Sequence, residues 1–208
     1  MLTEKQTDHL KEIEEYYKPK MKEDLPDFEV LGWENREAHL RRFRMLEENT
    51  DLQGRTVLDI GCGLGTFYEF LESRGLSTDY TGVDILAEMI SMAKARHKNA
   101  RFSCMDIFEE STGFDKRFNV VFASGIFNLN LGNNTEFMQK AIKRFFELSD
   151  EIIAFNLLHE DSEDREERYF YTNPAEINRL LEPYRENFRD VEFYHSYQKN
   201  DFTVIIRK

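Results

Sequence analysis

Val57-Leu58-Asp59-Ile60-Gly61-Cys62-Gly63-Leu64-Gly65-Thr66 is the stretch on which the architecture turns. Its opening residues, with Thr56 just before them, read as a strand from Thr56 to Ile60, and the unbroken apolar pair Val57-Leu58 suits a strand buried on both faces. Three glycines follow within five residues, and the segment from Thr66 to Ser73 reads as a helix closed by Gly75. Glycines at such a strand-to-helix turn let the backbone approach a ligand closely, and the helix start adds unpaired N–H donors.

On the carboxyl-terminal side the same alternation continues. Tyr80 to Asp84, Arg101 to Cys104, Asn119 to Ser124 and Glu151 to Leu157 read as strands; Ala87 to Arg96 and Thr135 to Leu148 read as helices. Asn173 is placed as an N-cap with Pro174 at the first helical position and Glu176 two residues on. The runs Val191 to Tyr197 and Phe202 to Ile206, joined by Lys199-Asn200-Asp201, form a predicted antiparallel hairpin. Alternating strands and helices argue for an α/β chain whose parallel sheet carries helices on both faces.

On the amino-terminal side the pattern is helical. Thr3 with Gln6 makes a capping box, and Leu10, Ile13 and Tyr17 recur at helical spacing until Pro19, where the helix is expected to stop. Lys20 to Trp33 reads as a loop, and Glu34 to Glu48 as a second helix. Neither a secretory signal nor a run of the ~20 apolar residues of a membrane helix is present; Val120 to Phe127 is among the longest and holds Ser124 and Gly125. A soluble, cytoplasmic protein is expected.

The 208 residues carry a formal charge of −12, which repels phosphate backbones and speaks against a nucleic-acid partner. Two cysteines, Cys62 and Cys104, indicate no disulfide framework. The five histidines, at 9, 39, 97, 159 and 195, have no metal-ligand spacing, so no metal is expected.

Acidic residues at strand ends narrow the ligand. Asp84 lies 19 residues beyond Gly65 at the end of the second strand, where a carboxylate can accept hydrogen bonds from both ribose hydroxyls. Asp106 follows the third strand. The glycines run G-x-G-x-G rather than G-x-G-x-x-G, and Asp59 stands two residues before the first of them. Such an acid is badly placed against a pyrophosphate and well placed beside a cationic amino group. A ribose, an adenine and a cationic amino-acid moiety fit better than NAD, and no phosphate-binding G-x-x-x-x-G-K-[ST] loop occurs.

With these residues in hand, Val57 to Phe67 resembles motif I of the class I S-adenosylmethionine-dependent methyltransferases. Gly82-Val83-Asp84-Ile85 is similar to their second motif and Ala87-Glu88-Met89-Ile90 to the helix start after it. The resemblance covers about residues 55 to 157. It implies a Rossmann-like, seven-stranded, mostly parallel sheet of order 3-2-1-4-5-7-6 with the last strand antiparallel. An N-terminal helical lid over residues 1–50 would precede a methyltransferase domain over 51–208.

The resemblance also implies roles. Gly61, Cys62 and Gly63 would line the methionine part of S-adenosyl-L-methionine, Asp84 would bind its ribose, and Ile85 would pack on adenine. Asp106 and Ile107 would read the adenine edge, with a helix N-cap as the alternative for Asp106; Ser124 would face the sulfonium. Gly32-Trp33 and Arg41-Arg42-Phe43 look like the lid helix of small bacterial members. Arg42 is the candidate for the cofactor carboxylate and Trp33 for a face of the site; otherwise the two fix the N-terminal helices to the domain.

His159, after the fifth strand, is the candidate general base, or else a solvated histidine in the acidic run Glu160 to Asp164. Asn128 and Tyr169-Phe170-Tyr171 are placed near the acceptor. The N-P-P-[YF] motif of base and glutamine methyltransferases is absent, and Ser124-Gly125-Ile126-Phe127 stands in its place. The expected activity is methyl transfer to a small molecule by a monomer or homodimer, releasing S-adenosyl-L-homocysteine. The rivals are a non-catalytic module that binds the same cofactor to regulate a partner, and a nucleotide-dependent oxidoreductase.

Overall fold

A computed structural model of the chain describes residues 4–22, 24–108, 116–195, 197 and 199–208. Three helices come first: α1 (Glu4–Met21), the single turn α2 (Asp27–Val30) and α3 (Arg36–Asn49). There follow β1 (Thr56–Ile60), α4 (Thr66–Ser73), β2 (Asp79–Asp84), α5 (Ala87–Arg96), β3 (Arg101–Cys104) and β4 (Phe118–Ala123). The chain then forms α6 (Asn134–Leu148), β5 (Ser149–His159), a two-residue β6 (Tyr171–Thr172) and α7 (Pro174–Leu181). It ends with a 3₁₀ turn (Glu182–Asn187), β7 (Asp190–Tyr194) and β8 (Asp201–Arg207).

The strands form one sheet of order β3-β2-β1-β4-β5-β8-β7, with β6 beside the end of β5. Pairings are parallel from β3 through to β5, and β8 runs antiparallel to both β5 and β7. Apart from the short β6, this is the expected order and sense. Side chains alternate between faces, so Leu58, Val121 and Phe155 pack with α6 and α7, while Val57, Val120 and Phe122 pack with α3 and α4. Each such fully buried side chain contributes roughly 1.5–3 kcal/mol.

Two expectations at the amino terminus are corrected, and one lies outside the described residues. α1 does not stop at Pro19; it runs on to Met21, with Lys22 N–H donating to the Pro19 carbonyl at 3.1 Å. Pro19 forgoes one N–H donor to the carbonyl four residues back, and the helix nevertheless continues through it to Met21. The predicted loop contains the short α2, whose buried Val30 joins Leu64, Leu86 and Met89 under the side chains of α1. Thr3 of the predicted capping box is among the residues not described. The Asn173 cap is present, its side chain accepting from Glu176 N–H at 2.9 Å.

Candidate cofactor cavity at the carboxyl edge of the sheet

β1 delivers Asp59 and Ile60 to the edge of the sheet, and the chain turns through Gly61, Gly63 and Gly65, each with positive φ. Gly61 and Cys62 N–H both donate to the Val83 carbonyl, at 2.8 and 3.0 Å, which ties the turn to β2. Glycine is required at 63: φ is +52°, and a Cβ would lie 2.7 Å from the Leu31 side chain. The loop thus runs as a bare backbone along the cavity floor.

Asp84 ends β2 and braces this loop. One carboxylate oxygen accepts from Gly63 N–H and the other from Leu86 N–H, both at 2.9 Å. Burial raises its pKa, against the stabilising N–H donors. A carboxylate has about four acceptor positions, and those the backbone leaves open can accept from a ligand's hydroxyl. Asp59 is deeper, 3% exposed, and accepts from the Tyr80 hydroxyl at 2.5 Å. Burial pushes its pKa up to about 7, opposed by the Tyr80 bond and reinforced by Asp84.

The cavity bounded by these groups has a volume of about 640 Å³. Ile85, Met105, Asp106, Ile107 and Phe108 form its wall at the ends of β2 and β3; Ser124, Gly125, Ile126 and Asn128 form the wall after β4. Asp106 accepts from Phe108 N–H at 2.9 Å, a local turn contact compatible with either role considered for it. The Cys62 thiol is buried and its pKa raised by that burial, which makes it a poor nucleophile.

The amino-terminal helices close the cavity. Leu10, Ile13 and Tyr17 of α1 line it, and His9 makes an edge contact with Phe137 of α6 at 6.2 Å. α1 is held at both flanks, by the Lys18–Glu88 ion pair at 3.1 Å and by the Tyr16 and Tyr169 hydroxyls at 2.9 Å. Trp33 enters the wall with its ring against Gly125, where a Cβ would sit 2.9 Å from the indole.

Comparison with known proteins agrees with this geometry. A methyltransferase-domain family model matches residues 57–149. A Mycobacterium tuberculosis protein assigned as a methyltransferase is 30% identical over 162 residues, 74% of this chain and 93% of that one. The chain belongs to the class I S-adenosylmethionine-dependent methyltransferases. The ubiquinone biosynthesis O-methyltransferase of Coxiella burnetii is 32% identical over 114 residues, and this chain spans about half of its length (47%). Among solved structures, the N-methyltransferase NodS of Bradyrhizobium japonicum with S-adenosyl-L-homocysteine shares the fold. Its TM-score is 0.65 at 17% identity, over 93% of this chain and 98% of that one.

The methyltransferase cavity fits the cofactor of its family. A glycine-rich backbone cradle and a buried carboxyl with no ion-pair partner among the described residues are what a ribose-bearing cationic amino acid would complement. Of the residues expected at the site, Trp33, Asp59, Gly61, Cys62, Gly63, Asp84, Ile85, Asp106, Ile107 and Ser124 all line the cavity.

Two expected residues do not. Arg42 is drawn away by Asp201: its guanidinium pairs with that buried carboxylate and also donates to the Ala38 carbonyl, so Arg42 does not line the cavity. His159 is the last residue of β5, and its ring packs against His195 and Phe202 at the β8 edge while accepting from Asp161 N–H at 3.1 Å. It is not among the residues that line the cavity, so the structure does not bring this candidate base to the site. Tyr169 and Phe170 brace the segment after β4 through backbone pairing with Leu129 and Asn128 rather than lining the cavity.

His39 was not singled out by the sequence. It stacks on Trp33, with centroids 5.2 Å apart, and its Nε2 lies 3.4 Å from the Thr66 hydroxyl. Burial and the Arg42 charge push its pKa down to about 3, so it stays neutral. Its place one turn before Arg42 on α3 was the available signal.

Proposed function

We propose that this methyltransferase acts on a small-molecule acceptor bound beneath the N-terminal helices. The observation that carries this reading is the cavity itself: about 640 Å³, within the range of small-molecule sites, and roofed by α1. Between α1 and α6 its walls include His9, Leu129, Leu131 and Phe137 together with the polar Asn133, Glu136 and Lys140, with Trp33 entering from α3's side. A net charge of −12 supports a partner other than nucleic acid. Residues 1–50 serve as the lid, and 51–208 as the domain that holds the cofactor.

In this reading Gly61, Cys62 and Gly63 bed the methionine part, and the Asp59 carboxylate meets its ammonium group. Asp84 takes the ribose, Ile85 packs on adenine, Asp106 and Ile107 read the adenine edge, and Ser124 and Trp33 lie nearer the methyl. When bound, S-adenosylmethionine supplies both the methyl group and its own leaving group. The chain's own contribution is then to orient the acceptor and exclude water. His39, neutral and stacked, adds shape rather than basicity. An open cavity favours catalysis over a non-catalytic module, for which a filled site would be expected.

Calorimetric titration with S-adenosylhomocysteine, with NAD as control, tests the cofactor. Transfer of labelled methyl to panels of phenols, carboxylic acids and amines, with tRNA and protein alongside, tests the acceptor. Binding of the first ligand alone and label in small molecules alone is expected. Binding of NAD alone, or label in macromolecules only, would overturn the reading.

A further inference from the structure

The Arg42–Asp201 pair is more than a link between two elements. The Arg42 and Asp201 side chains are 5% and 1% exposed, and the guanidinium carbon lies 3.9 Å above the Trp33 ring. The indole is therefore held between three neighbours: the Arg42 cation, the stacked His39 ring and the bare backbone of Gly125. Arg42 Nε has no hydrogen-bond partner, so the guanidinium is not satisfied by its polar contacts alone. Around the carboxylate the fold adds further ties. Tyr197 hydroxyl meets Thr203 Oγ at 2.7 Å, and its carbonyl accepts from Arg41 at 3.4 Å.

A buried ion pair contributes little net stability, because desolvation offsets the attraction, so stability alone is a poor reason for this arrangement. A guanidinium, unlike an ammonium, can donate in its plane to a carboxylate while its face covers an aromatic ring. Resting on the methyl-transfer reading above, we propose that Arg42 is a positioning residue. Anchored by Asp201, it fixes the Trp33 indole as a wall of the cavity, and so lets the β7–β8 hairpin set the shape of the methyl-transfer site.

Trp33 is the chain's only tryptophan, so intrinsic fluorescence reports on it alone. The variants are Arg42→Lys, which keeps the charge and loses the flat face, and Arg42→Met combined with Asp201→Asn, which removes both charges at similar volume. Each is checked for folding by circular dichroism. Both are expected to raise acrylamide quenching of Trp33 about two-fold or more. S-adenosylhomocysteine affinity is expected to fall about 3- to 30-fold, the loss typical of a desolvated cation–π contact. Should the double variant fail to fold, Arg42→Lys carries the same two readouts. Folded variants with unchanged quenching and unchanged affinity would overturn the proposal and leave Arg42 a tie between α3 and β8. If the wild-type chain itself bound no S-adenosylhomocysteine, the methyl-transfer reading would fail, while the quenching comparison would still decide whether Arg42 holds Trp33.

Discussion

Asp59→Asn should make the ligand-free protein more stable above neutral pH and at the same time spoil its cofactor site. The folded pKa of about 7 stands about 3 units above the ordinary value of 3.8. Between those two pH values the unfolded chain has lost the proton that the folded chain still holds. Stability therefore falls as pH rises through this window and levels off above about 7. At 1.36 kcal/mol per unit, the upper bound on the loss is about 4 kcal/mol. Asparagine can still accept from the Tyr80 hydroxyl, but its amide N–H₂ enters a buried place with no acceptor, which costs about 1–3 kcal/mol. The variant should then gain about 1–3 kcal/mol at pH 8, or roughly 2–10 °C in Tm, and gain nothing at pH 5. Asp84, also raised by burial, contributes a slope of the same sign to both proteins, so the difference between their Tm curves reports Asp59 together with its coupling to Asp84.

Cofactor affinity should move the other way. An ammonium beside Asp59 favours the ionised carboxyl, so wild-type affinity should rise with pH up to about 7, with proton release on binding below it. Loss of one charge-assisted hydrogen bond of about 1.5–3 kcal/mol weakens S-adenosylhomocysteine binding roughly 10- to 150-fold in the variant. Calorimetry in two buffers of different ionisation enthalpy measures affinity and proton count together. Equal Tm slopes in the two proteins would refute the burial argument, and equal affinities would refute the placing of the ammonium at Asp59.

Three further outcomes are expected. Gly63→Val forces a branched side chain into a left-handed backbone 2.7 Å from Leu31; S-adenosylhomocysteine binding should vanish in calorimetry while far-ultraviolet circular dichroism stays native. Asp84→Ala removes the brace on Gly63 N–H and Leu86 N–H as well as the proposed ribose contact, and affinity should fall by on the order of 1–3 kcal/mol; unchanged affinity would count against that contact. His159→Ala, at a ring packed on Phe202 outside the cavity, should leave kcat/KM within about 3-fold once an acceptor is known, and a loss of 100-fold or more would restore it as the base.

Much of the fold was legible because its signals are local. α4, α5 and β3 have the bounds that periodicity and glycine breaks predict, and the sheet order follows the resemblance carried by Val57 to Phe67. Period-two alternation also accounts for Asp59: it shares a face with Val57, the face on which Tyr80 and Phe67 pack, so its burial follows from its place in the strand. β6 was not legible, since two residues beside the end of β5 leave no pattern.

Side-chain direction is where the sequence stops speaking. Arg42 and His159 both stand where a site residue could stand, and each is turned away by a partner distant in the chain: Asp201, 159 residues beyond Arg42, and Phe202, 43 residues beyond His159. Those partners are adjacent residues at the start of β8, the strand that runs antiparallel beside β5. Motifs spaced along the first 125 residues describe a ligand's floor and cannot register what a terminal hairpin folds back against. Trp33 shows the consequence. Its ring reaches the cavity as expected, yet what holds it there, through Arg42, is a carboxylate seven residues from the end of the chain. The cavity floor is thus encoded locally by glycines and strand-end acids, whereas the wall nearest the proposed acceptor depends on contacts that only the completed sheet brings together.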